Sequence, residues 1–166
     1  MRDEISVALA ILEQAMNLEE EGRTFYLKVA QTTREEKGQE IFRTLAADEQ
    51  SHFNLLKKQH QALTSRKKWI MSAEIKPIKL DLNQSLFPKS KEAQKAITTK
   101  AGDRDALSFG LDIETKSYDF YRKAASETAD PLGKSTFEFL AGEEKRHFDI
   151  LMMRFDFLFG PIAWTS

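Results

Sequence analysis

Two of the chain's histidines occupy the same short pattern, three residues after a glutamate. The pattern is Glu49-x-x-His52 within LAADEQSHF and Glu144-x-x-His147 within LAGEEKRHF. Residues three apart on a helix lie on the same face, so each glutamate and its histidine can bind one cation together. Because the chain has only three histidines, metal binding is the first chemistry that this pattern suggests.

The pattern recurs because the chain contains an internal repeat. The shift that carries position 49 onto position 144 also aligns a separate upstream segment without a gap. In that segment Glu19, Phe25 and Tyr26 align with Glu114, Phe120 and Tyr121. One shift that fits two segments indicates two copies of one structural unit.

Each copy has the apolar spacing of two helices, with positions three and four residues apart forming a seam. Turn residues separate the helices within each copy, around TTREEKG in the first and TADPLG in the second. We therefore expect helical hairpins at about residues 5–64 and 103–159. The predicted fold is all-α: a ferritin-like four-helix bundle that forms a single domain over residues 1–166.

The segment that joins the hairpins, at about residues 65–102, is rich in apolar residues and contains Pro77 and Pro88. It has no sustained helical period, and it is too apolar for a free linker. We expect a long crossover that lies along the bundle. The aromatic tail FDFLFGPIAWTS is expected to pack on the bundle end or on a second subunit.

Composition excludes several functional classes. The net charge of −1 has no basic excess that would indicate a nucleic-acid partner, and no apolar run is long enough to span a membrane. The chain has no cysteine, which excludes disulfides, a thiol nucleophile and iron–sulfur ligation. The first residues lack the plan of a secretion signal, so we expect a cytoplasmic protein.

The four helix seams each carry one glutamate in an otherwise apolar row, and two of them also carry a histidine. Buried carboxylates need a partner or a metal. The six predicted ligands are Glu19, Glu49, His52, Glu114, Glu144 and His147. Four carboxylates neutralise two divalent cations, and mixed carboxylate and imidazole ligation suits iron or manganese. The donor set thus leaves iron and manganese open.

Several neighbouring residues leave alternatives open. Glu21 is the fallback for Glu19, because both belong to a run of three glutamates. Tyr26 and Tyr121, two turns along, are either ordinary core tyrosines or hydrogen-bond donors to the ligating carboxylates. Asp48 and Glu143 directly precede the second glutamate of each copy. They are interpreted as solvated surface acids, with the orientation of a histidine across the bundle as the alternative.

Taken together, these motifs resemble the di-iron domain of the rubrerythrin family, within the ferritin-like superfamily. The likeness rests on Glu19-x6-Tyr26, Glu49-x-x-His52, Glu114-x6-Tyr121 and Glu144-x-x-His147. It implies that Glu49 and Glu144 bridge two metals and that Glu19 and Glu114 are terminal ligands. It also implies that His52 and His147 each complete the coordination of one metal, and that the cofactor is two iron ions, with manganese or zinc as possible substitutes.

The resemblance implies a di-iron peroxidase or oxidase that reduces hydrogen peroxide or dioxygen in an oxidative-stress role. The alternatives are a ferroxidase or iron-handling protein of the same superfamily and a helical module that keeps a structural metal. A rubredoxin domain needs four cysteines, so electrons are expected from a separate electron-transfer protein, and a homodimer is expected. Full-length family members often carry an extra carboxylate near the third-helix ligand, but the same-face neighbours of Glu114 include no acid.

Overall fold

The computed structural model describes residues 3–72 and 101–160, with side chains from residue 104 onward in the second range. Its four helices are α1 (Glu4–Thr32), α2 (Glu36–Arg66), α3 (Ala101–Glu127) and α4 (Pro131–Phe159). The predicted all-α four-helix bundle is confirmed. The predicted crossover falls largely on residues 73–100 and the end of the tail on 161–166, and both lie outside the described residues.

Acidic side chains begin the second helix of each hairpin at equivalent positions of the repeat. Glu35 accepts hydrogen bonds from the backbone nitrogens of Lys37 and Gly38, at 3.1 and 2.9 Å. Asp130 accepts them from Leu132 and Gly133, at 2.9 and 3.3 Å. These caps satisfy backbone donors that a helix start leaves unpaired. The two sharp turns therefore form where the sequence predicts them.

The helices pack as two hairpins, α1 on α2 and α3 on α4, and α1 also contacts α3. Tyr26, near the end of α1, clusters with Leu107, near the start of α3, so these two helices run antiparallel. The ligand positions of all four helices consequently meet near the middle of the bundle.

Two apolar clusters fill the bundle on either side of that middle level. One contains the end of α2 and the beginning of α4, with Leu63, Tyr121 and Phe137 among its buried members. The other contains the end of α1 and the beginning of α2, with Tyr26 and Phe42. The middle level between them holds the buried acidic and histidine side chains, which are thereby separated from bulk water.

The chain leaving α2 is fixed to the first of these clusters. Lys67 ends the helix in the left-handed conformation, with φ of 58°. Trp69 is buried, with its ring edge against Phe137 at a centroid distance of 5.6 Å. Gln59 exchanges two hydrogen bonds with the backbone of Ile70. None of the four described helices has the length and apolar character that a membrane crossing requires.

Candidate metal centre

The six predicted ligands converge in the interior, and each of these residues is at most 3% exposed. They form two overlapping groups, each able to place one ligand atom from every member within 4.8 Å of the others. The groups are Glu19, Glu49, His52, Glu144 and Glu49, Glu114, Glu144, His147. Glu49 and Glu144 belong to both groups, which is the arrangement expected of carboxylates shared by two ions.

Both histidines turn the same ring nitrogen toward the carboxylates. Nδ1 of His52 lies 3.4 Å from Glu19 and 3.3 Å from Glu144. Nδ1 of His147 lies 2.9 Å from Glu49 and 3.4 Å from Glu114. The two rings are nearly parallel, with centroids 5.5 Å apart. Each histidine thus offers one nitrogen to the centre and leaves Nε2 for another partner.

The tyrosines cross between the hairpins. The hydroxyl of Tyr26 in α1 donates to Oε1 of Glu114 in α3, and the hydroxyl of Tyr121 in α3 donates to Oε1 of Glu19 in α1. Both rings are fully buried. Of the two alternatives left open by the sequence, the structure has the one in which each tyrosine fixes a carboxylate. Glu19 lies in the cluster, whereas Glu21 lies on the exposed face of α1.

Asp48 and Glu143 correct the sequence interpretation, since neither is a solvated surface acid. They are 9% and 5% exposed. Oδ2 of Asp48 lies 3.0 Å from Nε2 of His147, and Oε2 of Glu143 lies 3.3 Å from Nε2 of His52. Each acid reaches across to the histidine of the other hairpin. A carboxylate at Nε2 accepts that nitrogen's proton and leaves the Nδ1 lone pair for a metal.

Because the buried glutamates lie close together, their pKa values differ widely from one another. Burial raises the pKa of Glu49, and the charge of Glu19 raises it further, to about 8. For Glu19 burial also acts upward, but the neighbouring His52 and several hydrogen bonds lower its pKa to about 2. The pKa of Glu144 is raised well above its usual value by burial and by the charges of Glu19 and Glu49.

The negative charges of the neighbouring carboxylates also act on the pKa values of the two histidines. Burial lowers the pKa of each ring, but Glu19 beside His52 and Glu114 beside His147 outweigh it and raise both values well above the usual one. For Asp48 burial raises the pKa, and hydrogen bonding to His147 together with nearby positive charge lowers it below the usual value. Without a metal, bound protons therefore offset the negative charge of the cluster.

The ligand atoms themselves test whether metal ions fit. Four of them are buried without a hydrogen-bond partner: Glu19 Oε2, His52 Nδ1, Glu114 Oε2 and Glu144 Oε1. Buried polar atoms are rarely left in this state unless a ligand or ion satisfies them. Carboxylate oxygens with imidazole nitrogens are a donor set for iron or manganese. The residues fit a pair of such ions.

One charged residue at the centre was not anticipated from the sequence. Arg146 contacts both Asp48 and Glu143 through Nη2, at 3.1 and 2.8 Å. The equivalent position of the repeat is Ser51, so no repeated pattern marks Arg146. The one sequence signal is Glu143, an acid three residues before Arg146 and therefore on the same helix face.

Comparison with protein families decides the classification. The Rubrerythrin family model matches residues 10–154, which is most of the chain. The chain belongs to the rubrerythrin family. Comparisons with curated proteins and with solved structures found no match. The resemblance stated from the ligand spacing is thereby confirmed at the level of the family.

The position one turn before Glu114 is a glycine, Gly110, and so has no acidic side chain. A Cβ atom there would lie 3.1 Å from Leu151 and 3.5 Å from Phe25. Ser117, one turn after Glu114, is buried and has no acidic group. Among the described residues, the six buried glutamates and histidines of the candidate centre thus have no additional carboxylate at these two positions.

Proposed function

We propose that the chain is a di-iron oxidoreductase that reduces hydrogen peroxide, or dioxygen, with electrons from a separate donor protein. The observation that supports this most is the pair of overlapping ligand groups that share Glu49 and Glu144. The chemistry that bound iron supplies is the transfer of two electrons to an O–O bond, with Lewis acidity toward its oxygens. A donor is required because the chain has no cysteine for a second electron-transfer centre.

The protein's own groups hold the ligands in place. In this proposal Glu19 and His52 belong to one ion and Glu114 and His147 to the other. The tyrosine hydroxyls keep one oxygen of each terminal glutamate occupied, which leaves the unpartnered Oε2 atoms of Glu19 and Glu114 for metal. Burial and neighbouring charges raise the pKa values of both Glu49 and Glu144, so each would release its bound proton on binding a cation.

The shape of the centre favours a very small substrate. A Cβ atom at Gly22 would lie 3.6 Å from Cδ of Glu49, at ordinary contact distance, so this glycine leaves a space of methyl size beside the shared carboxylate. The cavity of about 500 Å³ at the bundle end is lined by residues such as Leu63 and Trp69 and includes none of the ligands. The space beside Glu49 is thus limited to small groups, which favours dioxygen or peroxide as the substrate in this proposal.

The test is anaerobic loading with Fe(II), followed by rapid mixing with H2O2 or O2 and observation of iron oxidation. Reduction of peroxide to water consumes two electrons, so we expect one H2O2 for every two Fe(II) oxidised. Glu19→Gln should abolish the fast phase, because it removes a ligand. Glu20→Gln makes the same chemical change on the exposed face beside it and should behave as wild type.

Two results would contradict the proposal. One is iron oxidation by peroxide that is no faster in wild type than in Glu19→Gln. The other is fast oxidation by O2 alone in a large hollow shell of subunits, which would identify an iron-storage protein. Native mass measured on the same sample separates these outcomes, since we expect a homodimer.

A further inference from the structure

A single nitrogen atom lies between the two acids that contact the histidines. Nη2 of Arg146 is 2.8 Å from Oε2 of Glu143 and 3.1 Å from Oδ2 of Asp48. These are the same two oxygens that face Nε2 of His52 and Nε2 of His147. One guanidinium is therefore connected, through one oxygen on each side, to both histidines of the centre.

These contacts differ from ordinary surface ion pairs because they are largely shielded from water. The side chains of Arg146, Asp48 and Glu143 are 16%, 12% and 6% exposed. Lys145 and Asp149 form a neighbouring pair on the same helix, and their side chains are 63% and 51% exposed. Exposed pairs of that kind contribute little, whereas shielded charges interact more strongly.

The arrangement is also asymmetric, although the residues around it are repeated. Asp48 and Glu143 are equivalent in the two copies, as are the two histidines. The equivalent of Arg146 is Ser51, which is exposed and donates to the carbonyl of Ala47 in its own helix. One cation from the second hairpin thus contacts both acids and can offset the negative charge of each.

We propose that Arg146 is a positioning residue that orients both histidines at once. It holds Asp48 and Glu143 together, so that each accepts the Nε2 proton of the opposite histidine and directs Nδ1 toward the centre. The proposal rests on the metal site proposed above, but the contacts that carry it are made by the protein alone. The proposal predicts that substitution of Arg146, on α4, disturbs His52 on α2 as much as it disturbs His147 on α4.

The test is NMR of the ¹⁵N-labelled imidazole rings in the full chain, metal-free and loaded with Zn(II). In Arg146→Gln, the Nε2 protons of both His52 and His147 should lose their protection from solvent exchange. His60 contacts Glu13 on the outer surface and serves as an internal reference that should not change. Lys145→Gln removes the same charge from the adjacent residue and should leave all three rings as in wild type.

Two further variants test which acid connects Arg146 to which histidine. Asp48→Asn should disturb His147 alone, and Glu143→Gln should disturb His52 alone, because each acid contacts one ring. Arg146→Lys keeps the charge but is one bond shorter, so both rings should change to a smaller extent than in Arg146→Gln. If Arg146→Gln does not fold, the spectra of Arg146→Lys provide the test instead: the signals of both rings, and not of one alone, should change.

A change in one histidine only, or in neither, overturns the proposal. Titration with Mn(II) provides a second readout: Arg146→Gln should weaken binding by roughly ten- to a hundredfold at both ions. If the wild type binds no metal, the proposed function fails, while the metal-free spectra still decide the role of Arg146. The two failures are therefore distinguishable.

Discussion

The two ends of the bundle are built on equivalent positions of the repeat but are stabilised by different interactions. Gln59 and Arg154 occupy the same place in the two copies, and both are almost completely buried. Gln59 makes a neutral pair with the backbone of Ile70, at 2.7 and 3.0 Å. Arg154 makes an ion pair with Glu35 at 2.7 Å. One position thus fixes the departing chain and the other fixes a helix start.

Between these ends, the repeat keeps the same chemistry in both copies. Each half contributes two glutamates, one histidine, one tyrosine hydroxyl and one acid at Nε2. The difference is instructive, because the proposed pair of cations would be held by equivalent ligands from the two halves. A bundle end needs only to be filled and hydrogen-bonded, and several side chains can do that.

The largest expected effect is on the middle of the bundle, where the two halves contribute equivalent residues. Mn(II) or Fe(II) at a thousandfold excess over its dissociation constant should stabilise the fold by about 4 kcal/mol. His52→Ala and His147→Ala should each lose much of this gain, and to the same extent, because their surroundings are equivalent. Thermal melts with and without metal measure the gain. Unequal losses in the two variants would contradict the matching of the halves.

The pH dependence of that metal gain follows from the pKa values. Glu49 has its pKa raised from 4.5 to about 8 in the folded protein. Its contribution to the stability of the metal-free fold is therefore full below pH 4.5 and is lost as the pH rises through about 8. Metal binding requires the ionised form, so the metal-induced rise in melting temperature should be larger at pH 8 than at pH 6. A pH-independent rise would contradict it.

The next largest effect distinguishes the two ends. Glu35→Ala leaves the buried guanidinium of Arg154 unpaired and also removes a helix cap, so we expect a loss of about 3–5 kcal/mol. Gln59→Leu leaves the backbone groups of Ile70 without their partner, and this should lower the free energy of unfolding by about 1–3 kcal/mol. Urea unfolding of the metal-free protein measures both. Glu36→Ala, on the exposed side of the same first turn, is the control and should change little.

The smallest effect separates two equivalent glycines. A Cβ atom at Gly133 would lie 2.5 Å from the rigid ring of Trp69, so Gly133→Ala should cost about 1–3 kcal/mol. At Gly38 the nearest atom, at 2.6 Å, is the end of the flexible Arg154 side chain, and Gly38→Ala should cost less. Urea midpoints measure the difference.

Gly142 provides the matched control for both glycines. A Cβ atom there meets nothing within 4 Å, so Gly142→Ala should stabilise the helix by up to about 1 kcal/mol. Equal costs at Gly133 and Gly38 would mean that the two ends are equally adaptable, contrary to the comparison above.

The sequence was sufficient for the fold and for the convergence of the six side chains. Repetition supplied this information, because Glu49 and Glu144 lie on apolar seams with the same spacing. Asp48 and Glu143 were misinterpreted since a residue just before a seam position lies on the flank of the helix. Whether that flank is covered depends on how closely the other hairpin packs.

Arg146, Gln59 and Arg154 could not be predicted for a different reason. Each departs from its counterpart in the other copy, so no repeated pattern marks it. A buried arginine also resembles an exposed one in the sequence, because burial of its charge depends on a partner far along the chain. For Arg154 that partner is Glu35, in the other hairpin.

The crossed contacts of the centre have a consequence for how the protein matures. The tyrosine that fixes Glu19 and the acid that orients His52 both belong to the second hairpin. A nascent chain that has emerged only as far as Arg66 therefore has Glu19 and His52 without these contacts and only two of the four buried glutamates. Under the proposed function, stable metal binding would require completion of the second half of the chain.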